Sequence, residues 1–103
     1  MLLVTTDTIN GKKLEELCVV SGGTVQTVNL FRDFGSGLKN LVGGELKRYT
    51  EMMDDARKIA TDRMVKSAED IGADAIVGVR YASSSITQQA SEVMVYGTAV
   101  KFI

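Results

Sequence analysis

The feature that most constrains this chain is a 27-residue run, residues 45–71, in which apolar side chains recur every three or four positions. Leu46, Tyr49, Met53, Ala56, Ala60, Met64, Ala68 and Ile71 fall on one stripe, with Met52 and Ile59 widening it. That spacing predicts an amphipathic helix with one buried face. Asp54 before Lys58 and Asp62 before Lys66 are acid-to-base pairs four residues apart, which support a helix slightly. Gly72 stands where a left-handed residue ends a helix. At 1.5 Å per residue the helix is about 40 Å long, enough to cross a sheet of several strands.

The flanking segments supply that sheet. "LLVTTDT" (residues 2–8) and "EELCVVSGGTVQTVN" (residues 15–29) are rich in β-branched types and read as strands. Asn10-Gly11 between them predicts a chain reversal that would pair them as a hairpin. Gly22-Gly23 reads as a bulge or bend. After the helix, "ADAIVGVRYA" and "EVMVYGTAVKFI" read as the last two strands, and "SSSITQQAS" between them as a polar hairpin end. Ahead of the helix, Phe31, Phe34, Leu38, Leu41 and Val42 make one face of a short helix over residues 30–42, closed by Gly43-Gly44. The predicted fold is α+β: a mostly antiparallel four-stranded sheet in ββ–helix–helix–ββ order, with one long helix packed on it in two layers. A chain of 103 residues has room for a single core, so residues 1–103 form one domain.

Composition narrows the function mainly by exclusion. Twelve basic residues against thirteen acidic give a net charge of −1, without the basic excess that nucleic acid or an anionic membrane attracts. No apolar run approaches the roughly 20 residues that span a bilayer. Histidine is absent, which removes the usual general base near neutral pH and the commonest transition-metal ligand. The single cysteine, Cys18, forms no internal disulfide, so a reducing cytoplasm is the expected compartment.

The glycine-rich stretch "NLFRDFGSGLKNLVGGEL" (residues 29–46) invites three chemical readings. A phosphate loop needs Lys and then Ser or Thr after its last glycine; here Gly44 is followed by Glu45 and Leu46. A negative residue at a helix start also repels an incoming anion. The stretch therefore reads as a turn between two helices. A soft-metal site would join the Cys18 thiolate to thioethers of Met52, Met53, Met64 or Met94. Cys18 lies between Leu17 and Val19, where a free cysteine is expected to pack as a small hydrophobe. Among catalytic candidates, Asp54 and Asp55 are helix neighbours and diverge by about 100°. Tyr49, Tyr81 and Tyr96 have no evident base. Arg32-Asp33 reads as a cap and ion pair at the entry to the short helix. No catalytic residue and no cofactor is identified.

"NLFRDFGSGLKNLVGGEL", "AEDIGADAIVGVRY" and "VMVYGTAVKF" together resemble the YbjQ-like family, over essentially the whole chain. The matching positions are Phe31, Arg32, Asp33, Phe34, Gly43 and Gly44, with Gly72, Ala73, Asp74, Ala75, Gly78, Gly97 and Thr98. The resemblance implies an α+β subunit that assembles as a homopentamer, and it carries a heavy-metal-binding label without an established activity. Two functions stay open. One is a non-catalytic oligomeric binding or scaffold module with Phe31, Arg32, Asp33, Phe34, Gly43 and Gly44 at or near a subunit interface. The other is a soft heavy-metal or small-ligand binder whose site forms between subunits, with Cys18 as its candidate ligand. The implied partner is the chain itself.

Overall fold

A computed structural model describes residues 1–27, 43–87 and 90–103. They form strands β1 (Leu2–Leu3) and β2 (Leu14–Thr27), helix α1 (Gly44–Asp70), and strands β3 (Ala75–Thr87) and β4 (Ala90–Phe102). The sheet order is β1-β3-β4-β2, and α1 lies across one face. The short helix expected over residues 30–42 lies outside the described residues.

The sheet is mixed rather than mostly antiparallel. β2 and β3 each pair antiparallel with β4, but β1 pairs in parallel with β3. The N-terminal hairpin does not form. The reversal at Asn10-Gly11 is real, with the Lys12 N–H donating to the Ile9 carbonyl at 3.1 Å and Gly11 at φ 75°. It serves a crossover from one edge of the sheet to the other. On the way, Ile9 and Leu14 pack with Val4 over Ala75, Val77 and Val100, on the face opposite the helix.

The helix forms where its apolar period predicts, and its buried line is made mostly of alanine. Ala56, Ala60, Met64 and Ala68 are fully buried, four residues apart. Small side chains let two backbones approach, and the sheet answers with a glycine. A Cβ added at Gly22 would lie 2.0 Å from the Ala60 carbonyl oxygen and 2.5 Å from the Met64 nitrogen. Gly22 is therefore where the helix rests on β2, and the register shift of β2 falls at Glu16/Cys18 instead. Arg63 fastens the crossing by donating to the Gly23 carbonyl at 2.6 Å. The ends of the predicted stripe depart from it: Leu46 and Ile71 are 50% and 45% exposed. On the outer face Asp54 pairs with Arg57 rather than Lys58, and Lys66 with Asp70 rather than Asp62.

Three of the motif glycines are devices of the fold. Gly72, at φ 77°, ends the helix: its N–H donates to the Glu69 carbonyl and the Ala73 N–H to that of Ala68, each at 3.0 Å. That is the paired bonding of a Schellman cap. Gly78, at φ 62°, begins a bulge in which Gly78 and Val79 oppose Gly97. The extra residue re-phases the strand, so Ile76 and Val79 both face the helix while Val77 faces away. A Cβ at Gly97 would meet Ile76 Cγ2 at 2.7 Å, which explains glycine opposite the bulge.

Asp74 joins helix end to sheet end. Its N–H donates to the Val100 carbonyl, and its Oδ2 accepts from the Phe102 N–H, both at 2.8 Å. Lys101 Nζ lies 3.9 Å from the same carboxylate and donates to the Gly72 carbonyl at 2.8 Å. Asp74→Ala is expected to cost about 1–3 kcal/mol, because it strips a backbone donor of a charged acceptor. Thermal unfolding of the variant checks this, and an unchanged midpoint would contradict it.

Candidate functional site

Residues Phe31, Arg32, Asp33 and Phe34 lie outside the described residues, so their site reading rests on sequence alone. Gly43 and Gly44 are described. Gly43 is the N-cap of α1 at φ 57° and ψ −124°, a conformation that glycine adopts readily and side-chain-bearing residues do not. Its carbonyl accepts from the Lys47 N–H at 3.1 Å, starting the helix. A Cβ at either glycine would meet nothing within 4 Å, so backbone conformation, and not crowding, is what calls for glycine at Gly43. Gly43 thus starts α1, and the short helix expected before it lies outside the described residues.

Cys18 departs from expectation: it is exposed. It lies on the edge strand β2, beside the register shift, so its apolar neighbours in sequence do not enclose it. Nor do Met64 and Met94 converge on it. Met64 is buried beside Gly22, about 14 Å along the strand from Cys18 at 3.4 Å per residue. Met94 pairs with Gly23 and so falls on the opposite face from Cys18, which pairs with Ala99. Among the described residues no group of three or more His, Cys, Asp or Glu is placed to hold a metal. Cys18 should therefore titrate with one equivalent of a thiol reagent in the native protein. Cys18→Ser should change stability by only about 0.5 kcal/mol or less. A thiol that reacts only after denaturation would contradict both.

Tyr81 and Tyr96 lie on opposite faces of the sheet. Tyr81 OH is 2.9 Å from Thr61 Oγ1, a helix-to-sheet tie, while Tyr96 points from the other face of the sheet. The "SSS" run is strand, not a hairpin end, since β3 continues to Thr87 and β4 begins at Ala90. Ser83, Ser84, Ser85 and Ser91 line a cleft of about 160 Å³ with Tyr49 and Met53, and no charged side chain among the described residues lines it.

The strongest site signal is one the periodicity argument missed. Residues paired across antiparallel strands share a face, so the register assigns the side opposite the helix. Val19 with Thr98, Ser21 with Tyr96 and Arg80, Gly23 with Met94 and Ala82, and Val25 with Glu92 and Ser84 all fall there. Val19 is 74% exposed, Val25 51%, Tyr96 41% and Met94 37%. The apolar alternation on both faces of "CVVSGGTV" was the available sequence signal. The chain is also elongated, with a radius of gyration of 16.7 Å and a long axis of 54 Å. A compact domain of this length has a radius near 13 Å.

Comparison with known proteins agrees with the resemblance. A family model described as "YbjQ_1: Putative heavy-metal-binding" matches residues 1–103. A UPF0145 protein of Clostridium novyi is 58% identical over 103 residues, covering all of both chains. One from Thermotoga maritima is 49% identical over 102 residues, covering 98% of this chain and 96% of its own. The crystal structure of a DUF74-family protein of unknown function from Pediococcus pentosaceus has the same fold, with TM-score 0.73 at 20% identity. That likeness covers 100% of this chain and 98% of the other.

Proposed function

This chain belongs to the YbjQ (UPF0145) family, and from that premise we propose that it is a non-catalytic module that works as a homo-oligomer, a pentamer on the family resemblance. In this reading it binds or scaffolds other molecules from the assembled ring, in the cytoplasm. The supporting observation is the uncovered apolar face of the sheet, Val19, Val25, Met94 and Tyr96, on an elongated chain. Exposed apolar side chains gathered on one surface mark an interaction site. The stretch Phe31, Arg32, Asp33, Phe34, with Gly43 and Gly44, belongs at or near the subunit interface. No helix among the described residues is long and apolar enough to cross a membrane.

A second reading keeps the assembly and adds a ligand. Among the described residues a single chain offers one exposed thiol and no group of three or more His, Cys, Asp or Glu, so a heavy-metal site built on Cys18 would draw on copies of it brought together. The family description favours such a site.

Sedimentation velocity at micromolar concentration tests the first reading, which predicts one species of several subunits. A monomer overturns both readings. Titration of wild type and Cys18→Ser with copper(I), zinc or mercury(II) tests the second. It predicts binding that the substitution abolishes, and equal uptake by the two proteins removes it.

A further inference from the structure

Among the described residues, the sheet protects half of each edge and leaves the other half without a strand partner. On the β3 side, Leu2 and Leu3 pair with Ala75 and Ile76. The same segment continues past β1: the Gly78 N–H donates to the Thr6 carbonyl at 2.9 Å and the Val79 N–H to that of Val4 at 3.0 Å. Arg80 then holds the segment down, donating to the Thr5 carbonyl at 2.9 Å. On the β2 side, the corresponding stretch carries Glu15 and Glu16 and a register shift at Glu16/Cys18. Charges and bulges are the usual means of keeping an edge strand from pairing.

Beyond these points both defences end, and they end together. The register runs Ser21–Tyr96–Arg80 and Val25–Glu92–Ser84 straight across the sheet. Residues 21–27 of β2 and 80–87 of β3 are therefore the two opposite edges at one level. No strand among the described residues pairs with either. Residues 17–27 carry no charge, and neither do residues 81–87. β2 and β3 also run in the same direction, since each is antiparallel to β4. Rotation about an axis lying along the strands preserves that direction, so the β2 edge of one copy meets the β3 edge of the next as a parallel pair. Each edge then finds its complement on an identical molecule, the head-to-tail geometry that closes into a ring.

We infer that the subunits join by edge pairing, residues 21–27 of one copy against residues 80–87 of the next, in parallel and at the same level. This rests on the homo-oligomeric reading and says how the assembly is made. It places Val25 of one copy beside Ser84 of the next, both exposed and on the face away from the helix. Within one chain these two are separated by β4, about 9.6 Å at 4.8 Å per strand spacing.

The test is a pair of double variants. In a Glu92→Gln background, which removes the carboxylate standing between the two positions within one chain, Val25→Glu with Ser84→Glu puts like charges across the junction, whereas Val25→Lys with Ser84→Glu puts opposite ones there. Like charges directly across a strand pair destabilise it and opposite charges support it. The pairing predicts that the Glu/Glu variant needs at least about tenfold more protein for half-assembly than the Lys/Glu variant, read by sedimentation equilibrium, with equal circular dichroism. A two-fold contact of β2 with β2 leaves position 84 out of the junction, so the two variants would be equally weakened. Equal weakening, or wild-type assembly in both, overturns the inference. A monomeric wild type defeats the homo-oligomeric reading itself, separately from the edge assignment.

Discussion

Gly22→Ala is expected to be among the most damaging substitutions in the chain, although it adds a single methyl group. Its new Cβ would stand 2.0 Å from the Ala60 carbonyl oxygen and 2.5 Å from the Met64 nitrogen. Both are backbone atoms of α1, so no rotamer change relieves the clash and the helix must lift from the sheet. Lifting it opens the packing of Ala56, Ala60, Met64 and Ala68, which are all fully buried. Overpacking ordinarily costs about 1–3 kcal/mol, and a clash with rigid backbone belongs at or above the top of that range. For a domain of this size about 3 kcal/mol lowers the melting midpoint by on the order of 15 °C. Ala60→Gly in the same chain should not rescue it, because the obstruction is not the Ala60 side chain. Thermal unfolding at one fixed protein concentration gives the answer, since assembly makes stability concentration-dependent. A midpoint within a degree or two of wild type would mean that the helix does not sit on Gly22.

Met64→Ala tests the same junction from the other side. Met64 is among the largest fully buried side chains and belongs to one core cluster with Val20, Ile76, Val79, Val93 and Val95. Truncation removes its buried surface and leaves a cavity that the alanine-lined helix has little means to fill. The expected cost is about 2–5 kcal/mol, a large share of the roughly 5–15 kcal/mol that holds a typical domain together. Met64→Leu, close in volume, should cost less than about 1.5 kcal/mol. Chemical denaturation separates these outcomes. Equal losses for alanine and leucine would point to a role other than filling space.

The sequence states its helix twice, in the four-residue repeat Ala56, Ala60, Met64, Ala68 and in the stop at Gly72, and both signals are local. Strand partners are not local. "LLVTTDT" followed by Asn10-Gly11 looks like half a hairpin, and the turn does form, but nothing in the period distinguishes a turn that reverses from one that crosses over. The serine run misled for a related reason. Ser85 pairs with Ser91 across β3 and β4, so a polar stretch remains in register as strand. Cys18 shows the limit most clearly. Its neighbours Leu17 and Val19 suggest burial, yet an edge position and a register shift leave it exposed, and neither is visible in a pattern of apolar residues.

The site was legible only in outline. Gly43 is the N-cap of α1 at positive φ, which gives a reason for a glycine there, while Gly44 already belongs to the helix. The motif "GADAIVG", paired with "GTAVK", proves to encode a helix cap, a strand clamp through Asp74 and a bulge opposite a glycine. These are requirements of the fold, so similarity over them carries architecture and not chemistry. The uncovered sheet face needed the strand register before Val19, Val25, Met94 and Tyr96 could be seen as one surface.

Native mass spectrometry of the protein purified without added metal or ligand tests the central claim most directly, because it weighs the assembly and anything retained in one spectrum. The homo-oligomeric reading predicts a dominant species at an integer multiple of the 11.1 kDa chain, a pentamer on the family resemblance. Retained mass that disappears in Cys18→Ser would add the metal reading to it. A spectrum dominated by the 11.1 kDa monomer at micromolar concentration would contradict the account at its base.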